Sequence, residues 1–106
     1  MSMREVDLTV TFVYVIDESL GMSKGKIAAQ VSHVAMQLAD RYKVLGRAIV
    51  LKADHDTFVN IFLNTMPFNE CIIDAGLTEV PSGTRTCIGF KQDDYTKQFT
   101  KDLRLV

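Results

Sequence analysis

The feature that most constrains the fold is an apolar run, Leu8 to Ile16, which leads through a short loop into a helical pattern. The run alternates at first and then becomes apolar on both sides, which is typical of a strand covered on both faces of a sheet. Apolar residues then recur at helical spacing from Ser23 to Tyr42, namely Ile27, Val31, Val34, Ala35, Leu38 and Tyr42. A buried strand followed by such a helix predicts the first half of a β-α-β unit.

The remainder of the chain continues to alternate strands and helices. We expect strands at residues 47–53, 71–73 and 84–90, a second helix from His55 to Met66, and a last helix that ends at Thr100. Gly46 is expected to close the connection before the second strand, Arg85 and Cys87 to share one side of the last strand, and residues 103–106 to form a tail. The order β-α-β-α-β-β-α predicts an α/β fold: one compact domain over residues 1–106, with a mixed four-stranded sheet and helices on both faces.

Composition and motif content exclude several classes of protein. A chain of 106 residues is long enough for a core that needs no metal or disulfide. No apolar run reaches the roughly 20 residues that span a bilayer, and the first residues lack the pattern of a signal peptide. The two cysteines are expected to be reduced core thiols, and His33 and His55 lie too far apart to suggest a metal site. The sequence therefore predicts a cytoplasmic protein without membrane segments or a bound metal.

Charge is unevenly distributed along the chain. The net charge is −1, yet residues 20–52 carry a local charge of +5, which includes Arg41, Lys43 and Arg47, and the other residues together carry −6. A basic half can attract a polyanion while the rest keeps the protein soluble. The alternative interpretation is an ordinary solvated face.

The start of the long helix breaks a local rule. Ser23 is a good N-cap, but Lys24 and Lys26 follow it, although a helix N-terminus disfavours positive charge. Free N–H groups and two ammonium groups together make a site for an anion. The segment is not a phosphate-binding P-loop, because three residues separate Gly21 from Gly25 and no hydroxyl residue follows Lys26. Hydrolysis of ATP or GTP is therefore not expected.

A second candidate for chemistry follows the third predicted strand. If the first and third strands are parallel, their carboxyl ends open on one edge of the sheet, and Asp74 can approach Lys26. Gln30 and His33 share a helix face with Lys26 and would border the same place. The alternative interpretation is that Asp74 only closes a turn.

Two motifs together resemble those of the type 2 peptidyl-tRNA hydrolases. The first runs from Gly25 to His33, with Lys24 before it, and the second runs from Ile73 to Thr86. The resemblance covers nearly the whole chain, including the aliphatic C-terminal end. It places the family's lysine at Lys26, its aspartate at Asp74 and its two threonines at Thr78 and Thr86. The chain departs from the family at Leu77 and Glu79, where an arginine and a glutamine are common, and these changes make the loop less suited to a phosphate backbone.

The resemblance implies hydrolysis of the ester between a peptide and the terminal ribose of tRNA, without a cofactor. Asp74 would position or deprotonate a water, directly or through Thr78 or Thr86, and Lys26 would stabilise negative charge. The substrate contacts expected on this interpretation are Lys24, Gln30, His33, Arg41, Lys43 and Arg47. His33 as the general base and Ser32 as a nucleophile are weaker alternatives. Ser32 is weaker because the sequence offers no histidine at an obvious position to activate it. Relatives also suggest a homodimer.

Two rival functions stay open on the sequence alone. One is a noncatalytic module of the same fold that binds RNA or protein, which Leu77 and the modest overall charge favour. The other is an enzyme that uses the same site on another small ester or amide. Retention of the four proposed catalytic residues argues against a pure binding module, because binding does not require that set.

Overall fold

The structure is a computed structural model that describes residues 5–76 and 79–106. Within these residues the chain forms five strands and three helices in the order β1-α1-β2-α2-β3-β4-α3-β5. Their bounds are β1 Val6–Asp17, α1 Lys24–Tyr42, β2 Leu45–Ala53, α2 His55–Thr65, β3 Glu70–Ile73, β4 Arg85–Lys91, α3 Asp94–Thr100 and β5 Arg104–Leu105, with a short 3-10 turn at Glu18–Leu20 after β1. The predicted α/β class and the order of its seven elements are confirmed.

The strands form one mixed sheet in the order β3-β4-β1-β2-β5. β1 and β2 are parallel, while β4 runs antiparallel to both β1 and β3. The predicted count of four strands is wrong, because the expected tail pairs antiparallel with β2 through Arg104 and Leu105. Two residues are too few to show strand periodicity, so only the open edge of β2 reveals that they form a strand.

β1 lies at the centre of the sheet and is buried on both faces. Val13 and Val15 face one hydrophobic cluster with α2 and α3, whereas Phe12, Tyr14 and Ile16 face a second cluster with α1. Val13 and Val15 have no exposed surface. This two-sided burial explains why the run becomes apolar at consecutive positions.

Helix α1 covers one face of the sheet with the predicted apolar stripe, and Val34 and Leu38 are fully buried. Its end differs from the prediction, because Lys43 closes it in the left-handed conformation at a φ of 56°. Gly46 instead lies inside β2, where an added Cβ would approach the ring of Phe12 to 2.9 Å. Gly46 is therefore needed for close packing rather than for the turn.

A β-bulge changes which way the start of β4 faces. The register between β3 and β4 shifts between Ile72 and Ile73. As a result the Arg85 guanidinium lies 3.8 Å from the ring centroid of Phe62 of α2, whereas Cys87 packs in the cluster under α1. The prediction that Arg85 and Cys87 share a side is wrong, because the extra residue at the bulge breaks the alternation.

The two cysteines lie on opposite faces of the sheet. Cys71 packs against the cluster under α2 and Cys87 in the cluster under α1, and both are free thiols. Burial raises the pKa of Cys87 to about 12. A thiol that stays protonated is a poor nucleophile, so Cys87 acts as a core residue. Among the described residues, none of the helices is long and apolar enough to cross a membrane.

Candidate functional site

The site lies at one edge of the sheet, between the start of α1 and the loop that follows β3. Because β1 and β3 are both antiparallel to β4, their carboxyl ends open on the same edge. The structure brings Lys26 and Asp74 together there, with 2.5 Å between Lys26 Nζ and Asp74 Oδ1. Both side chains are largely buried, with 11% of Lys26 and 7% of Asp74 exposed.

The carboxylate of Asp74 accepts three hydrogen bonds from the part of the chain that the structure describes. Its Oδ1 accepts from Lys26 Nζ and, at 2.8 Å, from Nε2 of Gln30. Its Oδ2 accepts from the backbone N–H of Gly76 at 2.7 Å. The carboxylate is therefore fixed in one orientation, with Oδ1 occupied by two donors and Oδ2 by one.

The backbone of the loop also holds Asp74 in place. The N–H of Asp74 donates to the carbonyl of Thr84, and the N–H of Gly83 donates to the carbonyl of Asp74, each at 2.8 Å. Gly76 has a φ of 77°, and a Cβ there would lie 2.5 Å from the backbone nitrogen of Ser82. The sharp turn that brings the N–H of Gly76 to Oδ2 thus requires glycine.

These contacts lower the pKa of Asp74 below its ordinary value. The hydrogen bond from Lys26 has the largest effect, and that from Gly76 comes next; burial opposes them, and the charge of Lys26 and the amide of Gln30 add smaller effects. The carboxylate is therefore ionised at neutral pH, and its basicity is weak. Such a group is better suited to orient a water than to remove its proton completely.

The polar stripe of α1 borders a cleft of about 300 Å³ beside this pair. Its lining residues come from α1 and from β3 with the loop after it: Lys26, Ala29, Gln30, His33, Ile72, Ile73, Asp74 and Ala75. Gln30 is buried, and its amide is committed to Asp74, whereas His33 is exposed at the rim. The cleft has room for a small group of a substrate next to the carboxylate.

The other predicted catalytic and nearby residues are placed less directly. Thr86 is fully buried in β4, and within the described part of the chain its hydroxyl has no hydrogen-bond partner. Thr78 and Leu77 lie outside the described residues. Lys24 is exposed on the opposite flank of α1, at an apolar groove that Ile27 and Val31 help to line.

Arg41, Lys43 and Arg47 are not part of the cleft. Arg41 follows Lys26 by fifteen residues on one helix, which places it about 22 Å away. It donates to the carbonyl of Pro67 at 3.0 Å and lies 3.6 Å from Glu70, while Lys43 pairs with Asp40 at 2.9 Å. Arg41 and Lys43 therefore lie at the end of α1 far from the cleft, and Arg47 lies near the start of β2.

Glu79 is a site residue that the sequence did not reveal in this role. Its Oε1 accepts from the backbone N–H of Ser23 at 2.7 Å, and its Oε2 accepts from the Ser23 hydroxyl at 2.5 Å. These bonds, followed by the charge of Lys26, lower the pKa of Glu79. The one signal in the sequence was a capping serine with no acid in the first turn of its helix.

A second ion pair lies at the same edge, on the face covered by α2. Nδ1 of His55 is 2.7 Å from Oδ2 of Asp17, whose other oxygen accepts from Ser19. The side chain of Asp17 is 2% exposed and that of His55 64% exposed. Hydrogen bonding to Asp17 raises the pKa of His55. In residues 5–76 and 79–106, no group of three or more potential ligands is arranged to hold a metal ion.

Comparison with known proteins finds a family model and several relatives that all carry the name peptidyl-tRNA hydrolase. The family model described as peptidyl-tRNA hydrolase PTH2 matches residues 10–65. The chain is 38% identical over 101 residues to a peptidyl-tRNA hydrolase of Thermoplasma acidophilum, covering 80% of this chain and 86% of that protein. It is 32% identical over 109 residues to one of Methanothermobacter thermautotrophicus, covering 89% and 97%. A mouse protein named peptidyl-tRNA hydrolase 2, mitochondrial, is 31% identical over 93 residues, covering 73% and 51%.

Proposed function

The chain belongs to the peptidyl-tRNA hydrolase PTH2 family, and from this membership we propose that it hydrolyses the ester joining a peptide or N-blocked amino acid to tRNA. The observation that carries the proposal is the buried Asp74 carboxylate, held by Lys26, Gln30 and Gly76 beside an open cleft. A fixed charged pair next to a small cleft suits a reaction that needs an oriented water and a stabilised anion. Residues 1–106 would form the hydrolase domain.

In the proposed reaction, the oxygen of a water bonds to the ester carbonyl carbon. The bond from that carbon to the ribose oxygen then breaks, and the ribose oxygen takes up a proton originating from the water. Among the described residues, Oδ2 of Asp74 accepts from the N–H of Gly76 alone, so it keeps a lone pair that can orient the water. Its low basicity favours orientation and partial proton transfer over full deprotonation before attack.

Lys26 would stabilise the negative charge that develops on the substrate. Its ammonium donates one hydrogen bond to Asp74, and its other two N–H groups have no hydrogen-bond partner among the described residues. These can reach the carbonyl oxygen during attack or the ribose oxygen as it leaves. Because the ammonium is largely buried, its interaction with that charge is screened less than in water.

Thr78 and Thr86 complete the proposed catalytic set on the strength of the family motif. Direct contact of Oδ2 with the water is favoured over a relay through Thr86, because the Thr86 hydroxyl makes no hydrogen bond to Asp74 among the described residues. A buried hydroxyl without a partner is costly. The presence of the Thr86 hydroxyl despite this cost supports a hydrogen bond that it makes only when substrate binds.

Binding of tRNA is proposed to use two surfaces. His33 at the rim and Lys24 at the start of α1 would contact the acceptor end. Arg41, about 22 Å along α1 from Lys26, Lys43 at the end of that helix and Arg47 at the start of β2 would contact phosphates further from the ester. Gln30 was expected to bind substrate, but its bond to Asp74 supports a role in holding the carboxylate.

The test is hydrolysis of N-acetyl-aminoacyl-tRNA by the purified chain. Lys26→Ala should remove most of the turnover while leaving the fold intact, although loss of the buried pair with Asp74 should lower the melting temperature. Lys97→Ala, which changes an exposed lysine of α3, is the matched control and should leave turnover unchanged. Near-native turnover of Lys26→Ala would refute the site assignment.

The rival binding function is favoured by one observation. Asp74 and Glu79 offset Lys24 and Lys26, so the edge carries little net positive charge to attract RNA. A noncatalytic module would bind tRNA or a protein without turnover, whereas an esterase for another substrate would turn over a small ester without affinity for tRNA. Parallel turnover and tRNA-binding measurements on the same preparation separate the three functions.

We also propose a cytoplasmic location, since the substrate arises during translation, and a homodimer, by resemblance to the family. Light scattering during size-exclusion chromatography measures the mass of the particle in solution and therefore tests the homodimer directly. A mass of one chain at all concentrations would refute it.

A further inference from the structure

Glu79 connects the loop after β3 to Ser23, the N-cap of α1. Its two carboxylate oxygens bind the backbone N–H and the hydroxyl of Ser23, at 2.7 and 2.5 Å, across 56 residues of sequence. Both donors belong to one residue, so the contact fixes the orientation of Ser23 as well as its position. Bonds to a charged acceptor are stronger than neutral ones.

Ser23 in turn fixes the position of Lys26 through a hydrogen bond. The hydroxyl oxygen of Ser23 accepts from the backbone N–H of Lys26 at 3.2 Å, and its carbonyl accepts from Ile27 at 2.9 Å. A capping residue sets where a helix begins and therefore the direction of the side chains in its first turn. The position of the Lys26 ammonium thus depends on Ser23, and that of Ser23 on Glu79.

The charges explain why the chain needs this contact. The first turn of α1 contains no acidic residue, and its two lysines face the positive end of the helix dipole. Glu79 supplies the missing negative charge from a distant loop. The same loop supplies Asp74, which binds Lys26 and Gln30. Two carboxylates of one loop therefore hold the start of α1 at two points, the N-cap Ser23 and the side chains of Lys26 and Gln30.

We propose that Glu79 is a positioning residue for Lys26, which acts through Ser23 to hold the ammonium against Asp74 for catalysis. The proposal rests on the function proposed above. Among the described residues the hydrogen bonds of the Glu79 side chain go to Ser23, so it would act on the reaction through the position of Ser23. It also occupies the N–H of Ser23 at the helix start, which leaves that donor unavailable to a phosphate.

The proposal distinguishes two substitutions at the same position. In Glu79→Gln, the amide oxygen can still accept from the Ser23 N–H, and the amide nitrogen can donate to the Ser23 hydroxyl oxygen. In Glu79→Ala, both contacts are lost. Because misplacement of a reacting group by about 1 Å can cost 10²-fold, Glu79→Ala should lower kcat roughly 10- to 100-fold with little change in KM, and Glu79→Gln should restore most of kcat.

A matched control separates positioning from loss of stability. Asp54 caps α2 through a 2.8 Å bond from the N–H of Thr57, away from the cleft. Asp54→Ala should therefore lower the unfolding temperature without lowering kcat. If Glu79→Ala keeps kcat within about twofold of the wild type, or if Glu79→Gln loses as much as Glu79→Ala, the proposal is overturned.

A second measurement remains informative if the chain does not hydrolyse peptidyl-tRNA. Hydrogen exchange at the amide of Lys26 reports the order of the first helical turn without reference to activity. Glu79→Ala should speed exchange there, while amides in the middle of α1 should stay protected. Unchanged exchange at Lys26 would refute the positioning role, whereas absence of turnover in the wild type would refute only the proposed function.

Discussion

Gln30→Met tests whether Gln30 holds Asp74 or binds substrate. The Nε2 of Gln30 lies 2.8 Å from Oδ1 of Asp74, and the residue is only 3% exposed. Methionine has nearly the same shape but cannot donate, so the substitution removes one hydrogen bond to a charged group and leaves the packing of α1 intact. Lys26 still binds Oδ1, and the fold should be retained.

The expected size follows from the bond that is lost. A hydrogen bond to a charged group contributes roughly 1.5–3 kcal/mol, and about 1.4 kcal/mol corresponds to a factor of ten in rate. If most of that energy serves to orient the carboxylate in the transition state, kcat should fall about 10- to 100-fold. KM should change little, because the amide of Gln30 is committed to Asp74.

Steady-state hydrolysis of N-acetyl-aminoacyl-tRNA, measured over a range of substrate concentrations, separates the two roles. Gln37→Met is the matched control, since Gln37 lies two turns further along the same helix and outside the cleft lining. An increase in KM at unchanged kcat would refute the positioning role of Gln30. That result is expected when a side chain binds the substrate equally well in the ground state and in the transition state.

Three further predictions concern pH and salt. The carboxyl carbon of Asp74, followed by NMR, should titrate below the ordinary aspartate pKa of about 3.9. The contribution of Asp74 to stability is then present above about pH 3.9 and is lost as the pH falls through the pKa of the folded state. A titration midpoint above the ordinary pKa would contradict the geometry. His55 has a raised pKa, so its contribution to the stability of the fold is complete below about pH 6.5 and is lost as the pH rises through the pKa of the folded state. His55→Ala should therefore lower the melting temperature more at about pH 5.5 than at about pH 9. An equal loss at both pH values would refute the pair with Asp17. KM for tRNA should rise steeply with salt, and Arg47→Ala should reduce that slope by about one unit if Arg47 contacts a phosphate; an unchanged slope would exclude that contact.

The parts of the fold that could be predicted are those where burial imposes a repeating pattern. β1 lies between two layers and α1 covers one of them, so Val13, Val34 and Leu38 follow directly from periodicity. β5 could not be predicted, because a two-residue strand exists only through its partner β2. The reversal of Arg85 relative to Cys87 depends on register between β3 and β4, which is a property of the pair and not of either strand alone.

The basic segment shows how linear charge density can mislead. Arg41, Lys43 and Arg47 are close to Lys26 in sequence, and a sum of charges places them in one group. A straight helix, however, carries Arg41 about 22 Å from Lys26, and Arg41 and Lys43 have acidic partners of their own. A local excess of charge in the sequence therefore does not define a patch around the cleft.

The lysines at the start of α1 were informative because they are unfavourable locally. A helix start that lacks acids and carries Lys24 and Lys26 must be compensated from elsewhere. The sequence suggested an external anion or a single partner, Asp74. The structure supplies two carboxylates from one loop, and Glu79 was missed because a contact across 56 residues leaves no periodic signal. A violated capping rule is thus better interpreted as a missing partner within the chain, to be sought first among acidic residues of loops at the same sheet edge, before a ligand is invoked.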